Sequence, residues 1–468
     1  MMKRRSCDRC YTIKVKCQPG RNREASTCRR CERLGHKCQT LRKIRPPGRR
    51  PQTASTSPSP ITRPDSDESG RLPLVVHPIP YPRLSITLRS DEETTIQFLF
   101  STTAFITHFT IGPSFRSKMR HSLHSRFLIS PENLLDGFLA CAGEFALRSG
   151  HLQIQTQAQN MSRCATAIRK LRALDPPTDL AQVRLMLALG TSILTYDQMA
   201  SPAAAASVYG QGAFMICRYI LSHAKPWYYP PGPLSQLSEM DIEMNCLIYL
   251  DTVECLIHRR MPVLRLRPRD GCELVVDRYI GLCYSLLPLL YDVCLIGVDI
   301  RNKKDGWLRV WEKVRDAVTQ WQPSVAAEFA EMYTSKEVIG MFAQANIHRQ
   351  MALLVLHRLR YRFGEEDIAA KLYSESILAE SETCFQLSGE YPFQIGLPLL
   401  VAGFELSDIS QREHLIRTHF AADHGLFAQP HSRMRNLLAL VWTEKDAGEY
   451  VSWFDIISSK TSGFCNVP

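Results

Sequence analysis

From about residue 91 onward, apolar residues recur three and four positions apart, the interval at which side chains share one face of an α-helix. The stretch "WLRVWEKVRDAVTQW" places Trp307, Val310, Trp311, Val314, Val318 and Trp321 on one such face. "EMDIEMNCLIYLDTVECLIHRR" predicts a helix over 239–260, stopped soon after by Pro262. "LAQVRLMLALGTSILTYD", residues 180–197, predicts another, entered after Pro176 and Pro177 with Thr178 as its N-cap. Residues 279–298, "YIGLCYSLLPLLYDVCLIGV", are long and apolar enough to cross a bilayer, but Pro288 and Asp292 interrupt them and no aromatic or basic belt flanks them. They predict a buried core helix, with no membrane partner. Alternating strand patterns with hairpin signals are scarce, so the expectation for 91–468 is a large all-α domain.

Residues 46–90 read differently. Ten prolines fall within 46–82, with "TASTSPSP" and "PDSDES" between them, and no apolar period runs through such a segment. It predicts a Pro/Ser-rich linker passing from basic to acidic. Charge then separates the first tenth of the chain from the rest. Residues 1–50 carry 17 Lys and Arg against three acidic residues, a net of +14, whereas the remainder carries 40 against 43. Such asymmetry predicts a polyanionic partner for the N-terminal part, with nucleic acid ahead of a membrane surface. The opening "KRRSCDRC" is no secretory signal, so a reducing intracellular setting is expected for the sixteen cysteines.

Six of those cysteines are spaced twice in one way. "CDRCYTIKVKC", Cys7 to Cys17, and "CRRCERLGHKC", Cys28 to Cys38, both read C-x2-C-x6-C, with ten residues between them. Thiols at this density call for zinc. Two independent tetrahedral ions need eight ligands, and six cysteines close that count only if two thiolates are shared; a single four-cysteine ion would leave two thiols without a role. The ligand set is therefore Cys7, Cys10, Cys17, Cys28, Cys31 and Cys38, holding two zinc ions. In each half the C-x2-C pair fits the first turn of a short helix, and Ile13 and Leu34 occupy matching places to pack the two helices together. His36 lies opposite Val15 of the first copy and reads as a polar surface residue. So small a unit buries little surface, and zinc supplies the folding energy its core cannot. Two zinc ions and six thiolates sum to a charge of −2, which the surrounding Arg and Lys offset.

With those spacings, the basic residues before Cys17 and the basic tail after Cys38, residues 7–38 resemble the fungal zinc binuclear-cluster DNA-binding domain. The resemblance covers about a tenth of the chain. It implies a small cluster of two short helices related by a pseudo-two-fold, occupying residues 1–45, with Cys7 and Cys28 as the bridging thiolates. It also implies that the first helix enters the major groove of double-stranded DNA and that Lys14 reads a CGG-like triplet, where guanine offers O6 and N7. Lys16 and Arg9 are expected on phosphates. Tyr11 and Ile13 stand where basic residues are frequent in the family, and the loop "QPGRNREAST" is longer than many. The tail "RKIRPPGRRPQ" adds Arg42, Lys43, Arg45, Arg49 and Arg50 as phosphate contacts and a nuclear-import signal. Its "GRRP" loosely resembles arms that enter a minor groove. The coiled coil by which many relatives dimerise cannot run through the prolines of 46–82, so the DNA-binding part is expected as a monomer or paired only through the helical domain.

The helical part resembles the fungal-specific regulatory domain that often follows such a cluster, on "LPLLVAGFELSDISQREHL" at 397–415 and "LLALVWTEKDAGEYVSWFDII" at 437–457. That resemblance implies a regulator of RNA polymerase II transcription acting through the transcription machinery or co-regulators, in the nucleus. Catalytic patterns are wanting. His121 and His124 form H-x2-H without the glutamate of a zinc-protease helix, and Cys255 with His258 reads as a buried structural cysteine beside a histidine. No glycine-rich phosphate loop or nucleophile elbow is present, and an enzyme is not expected. A second reading treats the cluster as a zinc-held module for protein or RNA on a ligand-sensing helical protein. Tyr11, the one aromatic residue in the first fifty, leaves little for single-strand stacking.

Overall fold

A computed structural model describes residues 17, 28–33, 38, 86–150, 155–200, 212–228, 239–267, 276–421, 428–448 and 452–461. Contacts divide the chain into two compact units, residues 1–70 and 71–468. In the first unit one short helix, α1 (Arg29–Arg33), is described. Most of the proline-rich segment 46–90 lies outside the described residues.

The larger unit is built of helices, and among its own described residues the β-type pairing is the isolated bridge between Asp277 and Gly281. Its elements run α2 (Ser90–Ser101), α3 (Thr103–Thr107), α4 (Arg116–Phe127), α5 (Pro131–Ser149), α6 (Gln157–Ala173), α7 (Leu180–Met199), α8 (Gly212–Tyr228) and α9 (Glu239–His258). They continue as α10 (Leu287–Arg301), α11 (Trp307–Gln320), α12 (Phe329–Met332), α13 (Ser335–Arg360) and α14 (Asp367–Ser388). The last four are α15 (Gly396–Glu405), α16 (Ile409–His419), α17 (Ala428–Asp446) and α18 (Trp453–Thr461).

The predicted helices over 180–197 and 239–260 are α7 and α9, with one correction at an entrance. Asp179, not Thr178, is the N-cap of α7: its carboxylate accepts the Gln182 amide at 2.8 Å. Thr178 instead donates its own amide to the Gln182 side chain at 2.8 Å. A charged acceptor satisfies an orphan N–H better than a hydroxyl and also faces the positive end of the helix dipole.

The apolar run 279–298 departs from a single helix. It begins as a turn in which the Asp277 carboxylate accepts the amides of Tyr279 at 2.7 Å and Ile280 at 3.0 Å. A 3₁₀ turn (Cys283–Leu286) follows, and α10 starts only at Leu287. Pro288 sits in the first helical turn, where its missing N–H costs nothing. Cys283–Arg301 is long and apolar enough by composition to cross a membrane, but here Leu290, Val293, Cys294 and Ile296 are buried against α9, α11 and α13.

α11 shows how the predicted stripe is used. Trp311, Val314, Val318 and Trp321 are buried and Trp307 packs against the core, but Val310 is 44% exposed at the rim of the contact. The Trp311 indole N–H donates to the Leu356 carbonyl at 2.7 Å, and that of Trp321 to the Ser285 hydroxyl at 3.1 Å. Burying those rings therefore leaves neither indole donor unsatisfied.

One continuous core runs from Ile96 to Ile457. Its longest helix, α13, packs against α10, α11, α14 and α15. Thr334 and Glu337 form a reciprocal capping box at its start, and the Glu337 carboxylate also accepts the Ser114 amide at 2.7 Å and hydroxyl at 2.8 Å. Burial would raise the Glu337 pKa, but the hydrogen bonds from Ser114 and Thr334 hold it below the ordinary carboxylate value. At the other end of α13, Arg358 is buried in an ion-pair network with Glu405 and Asp367. Close approach of α15 to α16 and α17 requires a glycine: a Cβ on Gly403 would lie 2.6 Å from Leu438 and 2.7 Å from Leu415.

Candidate metal centre

In the N-terminal unit, Cys28 enters α1 and Cys31 lies within it, three residues on. That interval sets both side chains over one face of the turn. The Cys31 amide points at the Cys28 sulfur, 3.5 Å away, and the Cys28 amide points at the Cys38 sulfur, 3.2 Å away. The three Sγ atoms lie within 4.8 Å of one another. Cys28 and Cys31 are buried, and Cys17 and Cys38 pack against them as half-buried neighbours. Thus the whole second C-x2-C-x6-C set converges, and the third cysteine of the first copy joins it.

The geometry suits a tetrahedral thiophilic ion. Zinc–sulfur bonds of about 2.3 Å place sulfur atoms about 3.8 Å apart around one metal, inside the observed limit of 4.8 Å. Backbone N–H groups aimed at sulfur favour the thiolate over the thiol, as partners of metal ligands do. Exposed Arg29, Arg30 and Arg33 on the same short helix add positive charge near the sulfurs. No other group of His, Cys, Asp or Glu among the described residues brings three ligand atoms so close.

The remaining predicted site residues, Cys7, Cys10, Arg9, Lys14, Lys16, Arg42, Lys43, Arg45, Arg49 and Arg50, lie outside the described residues, as do Ile13, Leu34 and His36. In the helical unit the candidates without a motif turn out structural. Cys255 is fully buried, its sulfur 3.7 Å from the Asp251 carboxylate, and burial pushes its thiol far up. His258 faces Glu254 at 3.3 Å instead of the thiol. His121 is exposed and 3.4 Å from Ser125, while the His124 ring sits edge-on to Phe100. Cys141, Cys217, Cys246 and Cys294 are raised by burial as well, so none is poised as a nucleophile. The sequence pointed to no special role for Asp197, Glu254 or Arg433, which three separate helices bring to one cavity.

The larger unit can be compared with known families. The family described as "Fungal specific transcription factor domain" matches residues 208–466, which include both stretches, 397–415 and 437–457, that suggested it. No curated protein and no solved structure matches the chain. The match takes in α8 to α18, more than half the sequence. The chain belongs to the fungal specific transcription factor domain family, whose members regulate transcription.

Proposed function

We propose that the protein is a nuclear, sequence-specific DNA-binding transcription factor in which a two-zinc, six-cysteine cluster reads DNA and the helical unit regulates. The observation that carries this reading is the convergence of the Cys28, Cys31 and Cys38 sulfurs within 4.8 Å, with Cys17 packed on them. It falls in a segment whose net charge is +14. Cys7, Cys10, Cys17, Cys28, Cys31 and Cys38 would hold the two ions, with Cys7 and Cys28 shared. Bound zinc supplies the folding free energy that so small an apolar core lacks. Lys14 donates to guanine O6 and N7 of a CGG-like triplet, while Arg9, Lys16, Arg42, Lys43, Arg45, Arg49 and Arg50 neutralise phosphates. With prolines through 46–82, the DNA-binding part acts as a monomer or pairs only through the helical unit.

The test joins metal content to sequence preference. Native mass spectrometry of the full chain should find two zinc ions, and Cys31→Ser should abolish both metal retention and DNA binding. A duplex containing CGG should bind better than a scrambled one, and Lys14→Ala should remove about 1–3 kcal/mol of that difference. Affinity should also fall steeply with salt, through counterion release. Equal binding of both duplexes by the zinc-loaded protein refutes the reading.

A further inference from the structure

A cavity of about 550 Å³ lies inside the helical unit, within the size range of small-molecule sites. Its walls are largely apolar, including Leu194, Phe214, Val253, Phe393, Leu400 and Leu437. Beside the neutral Gln198, Tyr249, Tyr391, Gln394 and Thr418, the carboxylate, guanidinium and imidazole groups on those walls are of three kinds. Arg433 is paired with Glu254, which also faces His258 at 3.3 Å. Burial would raise Glu254, but Arg433 and His258 hold it at about 2, so the pair is a neutralised plus and minus. The histidines His108, His419 and His431 are depressed by burial, His419 to about 4, and carry no charge at neutral pH.

Asp197 is different. It ends the apolar run of α7 only 6% exposed, and its carboxylate makes no hydrogen bond or ion pair with any described residue. Arg433 is near enough to attract it but is spent on Glu254. The cavity therefore holds one uncompensated negative charge on an apolar wall. A buried charge left unpaired is costly, and it marks the place where a complementary group would be most strongly held. Arg433, which lines the same cavity, keeps 54% of its side chain accessible.

We propose that this cavity binds a small apolar organic monocation, its ammonium group against the Asp197 carboxylate and its hydrocarbon part against the leucine and phenylalanine walls. The Glu254–Arg433 pair stands beside it as a neutral polar wall that repels neither end. The inference concerns the helical unit alone, and its test uses no DNA, so it stands or falls apart from the zinc-cluster reading.

Three probes of nearly one shape separate the possibilities: 4-phenylbutylamine, 4-phenylbutanol and 4-phenylbutyrate, each titrated calorimetrically into the full-length protein at pH 7.5. The amine should bind about tenfold to a hundredfold more tightly than the alcohol, the gain of one charge-assisted contact in a buried site, and the acid should bind weakest. Asp197→Asn should bring the amine down to the alcohol and leave the alcohol where it was. Leu250→Trp, which fills the cavity, should remove binding of both. Equal affinity of amine and alcohol, tightest binding by the acid, no binding of any probe, a preference that survives Asp197→Asn, or binding that survives Leu250→Trp would each overturn the assignment. The ratio in the unaltered protein decides by itself, so a variant that fails to fold does not shield the inference.

Discussion

Arg358 offers a sharp test of how the helical unit is held together. Its Nε donates to Glu405 at 2.9 Å and its Nη2 to the same carboxylate at 2.7 Å, with a further contact to Asp367 at 2.7 Å. Nη1 takes the carbonyls of Arg362 at 2.8 Å and Glu365 at 3.2 Å, which close the turn after α13. Consider Arg358→Met, which keeps the aliphatic stem and removes the charge. Asp367, with 53% of its side chain exposed, is rehydrated at little loss, but Glu405 is only 4% exposed and is stranded. Lys445 is an alternative cation within electrostatic reach, and its Nζ is already engaged by the carbonyls of Glu405 at 2.7 Å and Phe404 at 3.3 Å. A stranded carboxylate escapes by taking up a proton, which for an ordinary acid costs about 4 kcal/mol at pH 7 and about 1 kcal/mol at pH 5. That escape caps the electrostatic loss, and the two orphaned carbonyls add about 1 kcal/mol. The expected loss is therefore about 3–5 kcal/mol at pH 7, in the range found for breaking buried pairs, shrinking by roughly 3 kcal/mol at pH 5. Arg358→Met with Glu405→Met in the same chain should recover most of the pH 7 loss, because no buried charge remains. Urea unfolding of the three proteins, parent, single and double variant, at both pH values, with unchanged denaturant slopes, measures all of this. A single variant that loses less than about 1 kcal/mol, or a double variant no better than the single, would refute the reasoning.

Asp197→Asn should raise stability in the absence of ligand, by up to about 3 kcal/mol at pH 8. Burial lifts the Asp197 carboxyl to about 6, above its unfolded value near about 4. The folded state thus holds that proton more tightly, and the charge costs stability in full only above pH 6. The advantage of the asparagine should shrink as pH falls through about 6 and vanish near pH 4; a pH-independent difference in urea midpoints would contradict it. Gly403→Ala should cost about 1–3 kcal/mol, because the added methyl meets the buried Leu415 and Leu438 at 2.7 and 2.6 Å. Thermal unfolding that matches the parent would show that α15 can shift away from them.

Periodicity made α7, α9 and α11 legible, because each keeps an apolar face over several turns. It erred where two local choices compete. Thr178 and Asp179 both can cap, and the carboxylate prevails. Val310 fits the spacing of the α11 stripe, yet the contact is narrower than the stripe. Within 279–298, Pro288 suits a first turn better than an interior, so the helix begins beside it. The convergence of Cys28, Cys31 and Cys38 was readable because they are close in sequence and their spacing is itself the signal. The cavity was not, since Asp197, Glu254 and Arg433 are far apart along the chain and acquire meaning only when α7, α9 and α17 meet.

The tie between the capping box of α13 and a residue far upstream bears on where this regulator can be cut. Glu337 grips Ser114 across 223 positions, and the same core that ends at Ile457 begins at Ile96. The boundary at which family likeness starts, residue 208, therefore falls in the middle of a mechanical whole. A gene fragment trimmed to that ancestral signature would shed α2 to α7, strip the lining from one side of the interior and loosen the start of its longest helix. What descent records as one module and what thermodynamics requires as one body have different edges here, and swaps between regulators should respect the second.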